Sequence, residues 1–155
     1  MANAELLKSC TLFKGFSETG LLLMGKLARP REIPAGTPIF VESMVAESMF
    51  VLRSGTVQLS IKSPDGRDQP LDRLVPGDSF GELSLLIGGQ RMVTATAETD
   101  CELLEIPRRD FAKLQKQKPQ TCLKLMINIV GAFGKRVGAA GEHLKPLLLS
   151  QIQQQ

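Results

Sequence analysis

Residues 77–97 run Gly-Asp-Ser-Phe-Gly-Glu-Leu-Ser-Leu-Leu-Ile-Gly-Gly-Gln-Arg-Met-Val-Thr-Ala-Thr-Ala, which sets one carboxylate, Glu82, nine positions before one guanidinium, Arg91. An ionised carboxylate only accepts hydrogen bonds, so Glu82 suits a sugar hydroxyl. The planar fork of Arg91 can hold two phosphate oxygens and neutralise their charge. Gly81 lets a ligand approach the backbone with no Cβ in the way. Leu83-Ser84-Leu85-Leu86 can form one turn of helix whose first amides point toward an anion, and Thr94 adds a hydroxyl. A carboxylate for a ribose and an arginine for a single phosphate fit a cyclic mononucleotide. A triphosphate calls for a Gly-Lys-Ser/Thr loop, which is absent. The plainer alternative pairs Glu82 with Arg91 as a local salt bridge and leaves Gly81 as turn geometry.

Other chemistry is poorly supplied. Cys10, Cys101 and Cys122 are scattered, and the only histidine is His143, so no zinc, iron–sulfur or haem site is expected and the metal set is empty. No Ser-His-Asp or Cys-His arrangement is present and His-rich ligands of a cupin-type enzyme are missing, so the protein is not read as an enzyme. The 155 residues carry a formal net charge of +3, 43% hydrophobic and 23% charged residues. This composition suits one globular domain and gives no broad basic face for direct contact with nucleic acid. No run of about eighteen apolar residues is present and the start lacks the pattern of a signal peptide, so neither a membrane span nor export is expected and the cytoplasm is assigned.

The elements that must position the site follow from periodicity. Leu6, Leu7 and Cys10 share a helical face, with Asn3 as its N-cap. Ser17 caps a second short helix bearing Leu21, Leu22, Leu23 and Leu27, which Pro30 ends. Short strands follow: Ile39-Phe40-Val41, then Met49 to Leu52, then Val57, Leu59 and Ile61 alternating with polar residues. Pro64-Asp65-Gly66 turns the chain, and Val93 to Ala97 and Cys101 to Ile106 are two later strands. Helical spacing returns after Arg108, with Asp110 as a cap and Pro119 opening a longer helix. Met126, Val130, Phe133, Val137 and Ala140 form an apolar stripe there. Gly131, Gly134, Gly138 and Gly141 recur on a neighbouring face, which calls for either close approach of another helix or ligand, or a kinked and fraying helix. The expected division is 1–30 N-terminal helices, 31–107 strands enclosing the 77–97 segment, 108–142 C-terminal helices and 143–155 a tail, with 1–142 as one domain.

Phe80-Gly81-Glu82-Leu83-Ser84-Leu85-Leu86 followed by Arg91-x-x-Thr94 resembles the phosphate-binding cassette of cyclic nucleotide-binding domains, a family that includes bacterial catabolite activators and regulatory subunits of cAMP-dependent protein kinase. Leu12-Phe13-Lys14-Gly15-Phe16-Ser17, Pro34-Ala35-Gly36-Thr37-Pro38-Ile39, Gly55, Pro76-Gly77-Asp78 and Asp100-Cys101-Glu102-Leu103-Leu104 extend the resemblance over roughly 6–142. It implies a mainly β fold, an eight-stranded β-roll (a jelly roll, or double-stranded β-helix) with N-terminal helices and a long C-terminal helix. It also implies that Glu82 holds the ribose 2′-hydroxyl and Arg91 the cyclic phosphate. Gly81, Leu83, Ser84, Met92, Val93 and Thr94 complete the cassette, and Leu59, Leu71 and Leu74 line an apolar wall against the purine. The C-terminal helix closes over the base, where Arg136 can stack on the purine or bond its edge, or stay solvated. Ser43-Met44 stands where the family usually has Gly-Asp, so a non-glycine residue must make that turn. Met92 cannot supply the hydroxyl that often accompanies cGMP recognition, which favours cAMP over cGMP. Too few residues follow Gly141 for a helix-turn-helix domain. The expectation is therefore a stand-alone sensor that needs no cofactor and passes its ligand state to a separate effector protein, with a homodimer through the C-terminal helix as an option. The alternative is a ligand-independent interaction or dimerisation module that retains the roll.

Overall fold

The computed structural model describes residues 2–139 together with Gly141, Pro146, Leu149, Ser150, Gln151 and Gln153. Most of the expected tail, including His143, lies outside the described residues, as does Ala140. The chain begins with α1 (Ala2–Ser9), a 3-10 turn (Thr11–Phe13) and α2 (Glu18–Leu27). Ser17 caps α2 by accepting from the Gly20 amide at 3.1 Å. Asn3 is not a cap: α1 already includes it, and its side chain instead donates to the Gly25 and Ala28 carbonyls, tying α1 to α2. Pro30 does not terminate α2, which stops at Leu27. It sits within β1 (Arg29–Ile33), at the edge of a sheet, where a missing amide is tolerated.

Among the described residues eight strands form two antiparallel four-stranded sheets. Besides β1 they are β2 (Pro38–Phe40), β3 (Ser48–Ser54), β4 (Val57–Lys62), β5 (Asp68–Leu74), β6 (Ser79–Phe80), β7 (Thr94–Ala97) and β8 (Cys101–Pro107). The sheet orders are β1-β8-β3-β6 and β2-β7-β4-β5, a β-roll with helices on one side. The first sheet is covered on both faces. Met49 and Val51 of β3 and Leu104 and Ile106 of β8 pack with the helices, while Phe50, Leu52 and Leu103 point into the roll. Two-sided burial explains why β3 reads as an unbroken apolar run.

The alternation expected along β4 breaks after Leu59. Leu59 pairs with Asp72 but Ser60 pairs with Pro70, so Leu71 is an extra residue opposite this step. The bulge turns Ser60 inward and Leu71 outward, where it is 53% exposed.

A single helical turn, α3 (Leu83–Leu86), follows β6, and the chain closes with α4 (Arg108–Gln117) and α5 (Pro119–Ala139). Asp110 is not the cap of α4. Pro107 holds that position, and Asp110 in the first turn pairs with Arg29 at 2.8 Å. The buried seam of α5 is Cys122, Leu125 and Ile129, supported by Met126 and Ala132, rather than the stripe through Val130 and Phe133, which are exposed. The Asn128 side chain donates to the Leu12 and Lys14 carbonyls and fixes that rotation of the helix against the N-terminal turn.

Candidate functional site

Arg91 enters the interior on a loop that is zipped to its neighbour. The Ser43 amide donates to the Arg91 carbonyl at 2.8 Å, the Arg91 amide to Met44 at 2.6 Å and the Ala46 amide to Gly89 at 2.8 Å. Ser43 makes this turn at φ 74°, the only positive φ outside glycine among the described residues. Arg91 as a whole is 8% exposed. Its Nη2 donates to the Ser48 carbonyl at 2.6 Å, and its Cζ lies 4.0 Å from the centroid of the Phe40 ring. Phe40, Phe50 and Phe80, from three different strands, pack with centroids 5.3–6.0 Å apart and form the platform. Gly81, at φ +72°, makes room: a Cβ there would stand 2.6 Å from Arg91 Nη1.

The charge of Arg91 is poorly compensated. Among the described residues it forms no ion pair, and its Nε is buried without a hydrogen-bond partner. Burial pushes the guanidinium below its ordinary pKa, opposed by the more distant Glu105 carboxylate, yet arginine remains charged. Glu105 itself is engaged by the Ser48 hydroxyl and by Arg31. A buried cation held only by carbonyls and an aromatic face, without an anionic partner, is costly, and an anion entering beside it relieves that cost.

Glu82 is the second polar group. It follows β6 and precedes α3, and its Oε1 accepts from the Ser79 hydroxyl at 2.7 Å. Arg136 of α5 stands 4.0 Å from the same oxygen. The Ser84 amide and hydroxyl both bond the Gly81 carbonyl, so they brace the turn that carries Glu82.

These groups face a cavity of about 420 Å³, within the size range of small-ligand pockets. Gly81, Glu82, Leu83, Ser84, Arg91, Met92 and Val93 contribute from the cassette, Leu59 and Leu74 from the second sheet, and Arg136 from α5. Two residues expected here lie elsewhere. Leu71 is the bulge residue, and Asp72 and Leu74 line the cavity from its strand. Thr94 accepts the Glu42 amide at 2.9 Å, which holds β7 to the loop after β2. Phe40, Ser79, Phe80, Ile129, Ala132 and Phe133 also line the cavity and were not expected as site residues. Ser79 and Phe80 lie in the 77–97 segment and Phe133 in the apolar stripe of the helix, whereas Phe40, Ile129 and Ala132 carried no such signal.

Among the described residues no helix is long and apolar enough to cross a membrane, and no group of three or more potential metal ligands occurs. A family model of the cyclic nucleotide-binding domain matches residues 30–118. The cyclic AMP receptor protein of Thermus thermophilus is 34% identical over 113 residues, 73% of this chain and 52% of that one. The structure of the Thermus thermophilus catabolite activator protein superposes with a TM-score of 0.78 at 31% identity, covering 88% of this chain and 62% of that one. The regulatory domain of Toxoplasma gondii PKA, solved with cAMP, gives a TM-score of 0.66 at 29% identity over 72% of this chain and 42% of that one. The chain spans about two-thirds of the length of one curated relative it matches, about half of another, and a third or less of several others. With the family match covering more than half of its length, on the roll and the cavity just described, this chain belongs to the cyclic nucleotide-binding domain family.

Proposed function

We propose that the cavity binds cAMP and that α5 reports its occupancy to an effector protein. The observation that carries this reading is Arg91, buried on Phe40 with no carboxylate partner among the described residues, at the wall of a cavity that also holds Glu82. A cyclic phosphate against Arg91 supplies the missing counter-charge, the ribose 2′-hydroxyl meets Glu82, and the base lies against Leu59 and Leu74. No cofactor is required. The interaction-module alternative needs Glu82 to neutralise Arg91, and that pair is not among the ion pairs of the described residues. Met92 offers no hydroxyl to a guanine, which supports cAMP over cGMP.

The relay reading is supported by the rim. Ile129, Ala132, Phe133 and Arg136 of α5 all line the cavity, so a ligand that contacts them favours one position of the helix over others. The outward face of α5 is a candidate for pairing with a second copy, since exposed Leu123, Ile127 and Val130 lead into glycines with open space around them.

Calorimetric titration with cAMP, cGMP and a cyclic dinucleotide tests the core of the reading. Saturable cAMP binding, weaker cGMP binding and a loss of about a hundredfold or more in Arg91→Ala are expected. Folded, ligand-free protein that takes up none of the three refutes it.

A further inference from the structure

The Glu82 carboxylate meets the cavity with one oxygen already committed. Ser79 donates to Oε1 at 2.7 Å, while the Arg136 guanidinium stands at 4.0 Å on a side chain 68% exposed, beyond hydrogen-bond reach. Among the described residues Ser79 is the one hydrogen-bond donor to this carboxylate. The terminal torsion of a glutamate is broad, so an unrestrained carboxylate presents no defined acceptor direction. Anchoring one oxygen removes that freedom and leaves the other as the acceptor for a ligand hydroxyl.

Ser79 is itself held rigidly. It lies in β6 and pairs with Val51 of β3. The turn before it is pinned: the Gly77 amide donates to the Leu52 carbonyl, the Leu52 amide to the Asp78 carbonyl and the Val75 amide to the Asp78 side chain. The Cys10 thiol approaches Ser79 from the side of α1. Burial raises its pKa, so it remains a protonated thiol rather than a competing anion.

We propose that Ser79 is a positioning residue for nucleotide recognition, orienting Glu82 through its hydroxyl so that the carboxylate discriminates the ribose 2′-hydroxyl. This rests on the reading of the cavity as a cyclic nucleotide site. Preorganising one acceptor stabilises only the complex that uses it, so the effect is confined to ligands that carry the 2′-hydroxyl. A merely structural role for Ser79 weakens all ligands alike.

The test is calorimetric titration of the full chain with cAMP and with 2′-deoxy-cAMP, for the wild type, Ser79→Ala and the isosteric pair Ser79→Thr and Ser79→Val. The valine variant answers the same question as the alanine variant should the latter fail to fold. In the wild type cAMP is expected to bind about tenfold or more tightly than its 2′-deoxy analogue. In Ser79→Ala and Ser79→Val the ratio falls to within about threefold of unity, and Ser79→Thr, which keeps the donor, retains most of it. A ratio unchanged in both hydroxyl-free variants overturns the role of Ser79 while nucleotide binding stands. A folded wild type that binds neither nucleotide overturns the site reading and this inference together.

Discussion

Arg91 holds its charge in surroundings that oppose it, and the shape of the guanidinium is part of how it does so. The flat group lies over the Phe40 ring, sends Nη2 to the Ser48 carbonyl and fits beside Gly81 only because no Cβ is there. Lysine keeps the charge but has neither the plane nor the fork. Arg91→Lys is therefore expected to lose about tenfold or more in nucleotide affinity, and calorimetry measures it directly. An affinity equal to wild type reduces Arg91 to a point charge. Ser43 is a second special residue, with φ 74° in the loop that clamps Arg91. An L-residue in this region carries about 1–2 kcal/mol of strain that glycine lacks, partly offset by the greater freedom of glycine in the unfolded chain. Ser43→Gly is expected to raise stability by about 0.5–1 kcal/mol, visible as a higher urea midpoint with an unchanged slope. The resemblance singled out this position, where Ser43 stands in place of the family's usual glycine, and the structure decided that the serine itself takes the left-handed conformation.

At the scale of elements, α5 has two lives. Its buried seam of Cys122, Leu125 and Ile129 packs it against α4 and the N-terminal 3-10 turn, while its outward face carries Leu123, Ile127 and Val130 at 53%, 57% and 61% exposure. Among the described residues, no side chain or neighbouring element comes within 4 Å of a Cβ placed at Gly131, Gly134, Gly138 or Gly141. Each glycine interior to α5 costs about 0.8–1 kcal/mol of helix stability relative to alanine, and among the described residues no contact at Gly131, Gly134 or Gly138 offsets that. Close approach of a second α5 does, because small residues let backbones meet. Sedimentation velocity is expected to find a dimer that Ile127→Glu converts to monomer, with nucleotide binding retained. A monomeric wild type removes the pairing proposal and leaves the cavity reading intact. Helical periodicity announced this element, but its seam lies on a different face from the one the longest apolar series marked, since the Asn128 bonds and the N-terminal turn decide the rotation.

Across the whole molecule, two apolar clusters share the first sheet, one under the helices and one inside the roll. All three cysteines lie within them and are buried. Burial raises each thiol above its ordinary value of 9.0. A group whose folded pKa exceeds its unfolded value stabilises fully below the unfolded value, and that contribution is lost as the pH rises through the folded one. Stability is therefore expected to decline above about pH 9, as unfolded thiols ionise and folded ones do not. Urea midpoints between neutral and alkaline pH read this out. Replacing the three cysteines with alanine should flatten the decline, and an equally steep decline in that variant assigns it to other groups.

What the sequence alone determined is what contiguous residues can encode. Gly81, Glu82 and Arg91 carry their chemistry on one short segment, Ser17 marks a helix start, and Pro64-Asp65-Gly66 a hairpin, because these signals depend only on spacing along the chain. The tertiary structure decided the rest. Phe40, Phe50 and Phe80 meet beneath Arg91 only once three strands fall into register. The bulge at Leu71 exchanges that residue for Asp72 at the cavity wall, and a shift of one residue in pairing has no mark in composition. The partner of Glu82 Oε1 was likewise fixed by packing, since the hydroxyl of Ser79 becomes a specific donor only when β6 is held against β3 and the next turn brings the carboxylate back over it.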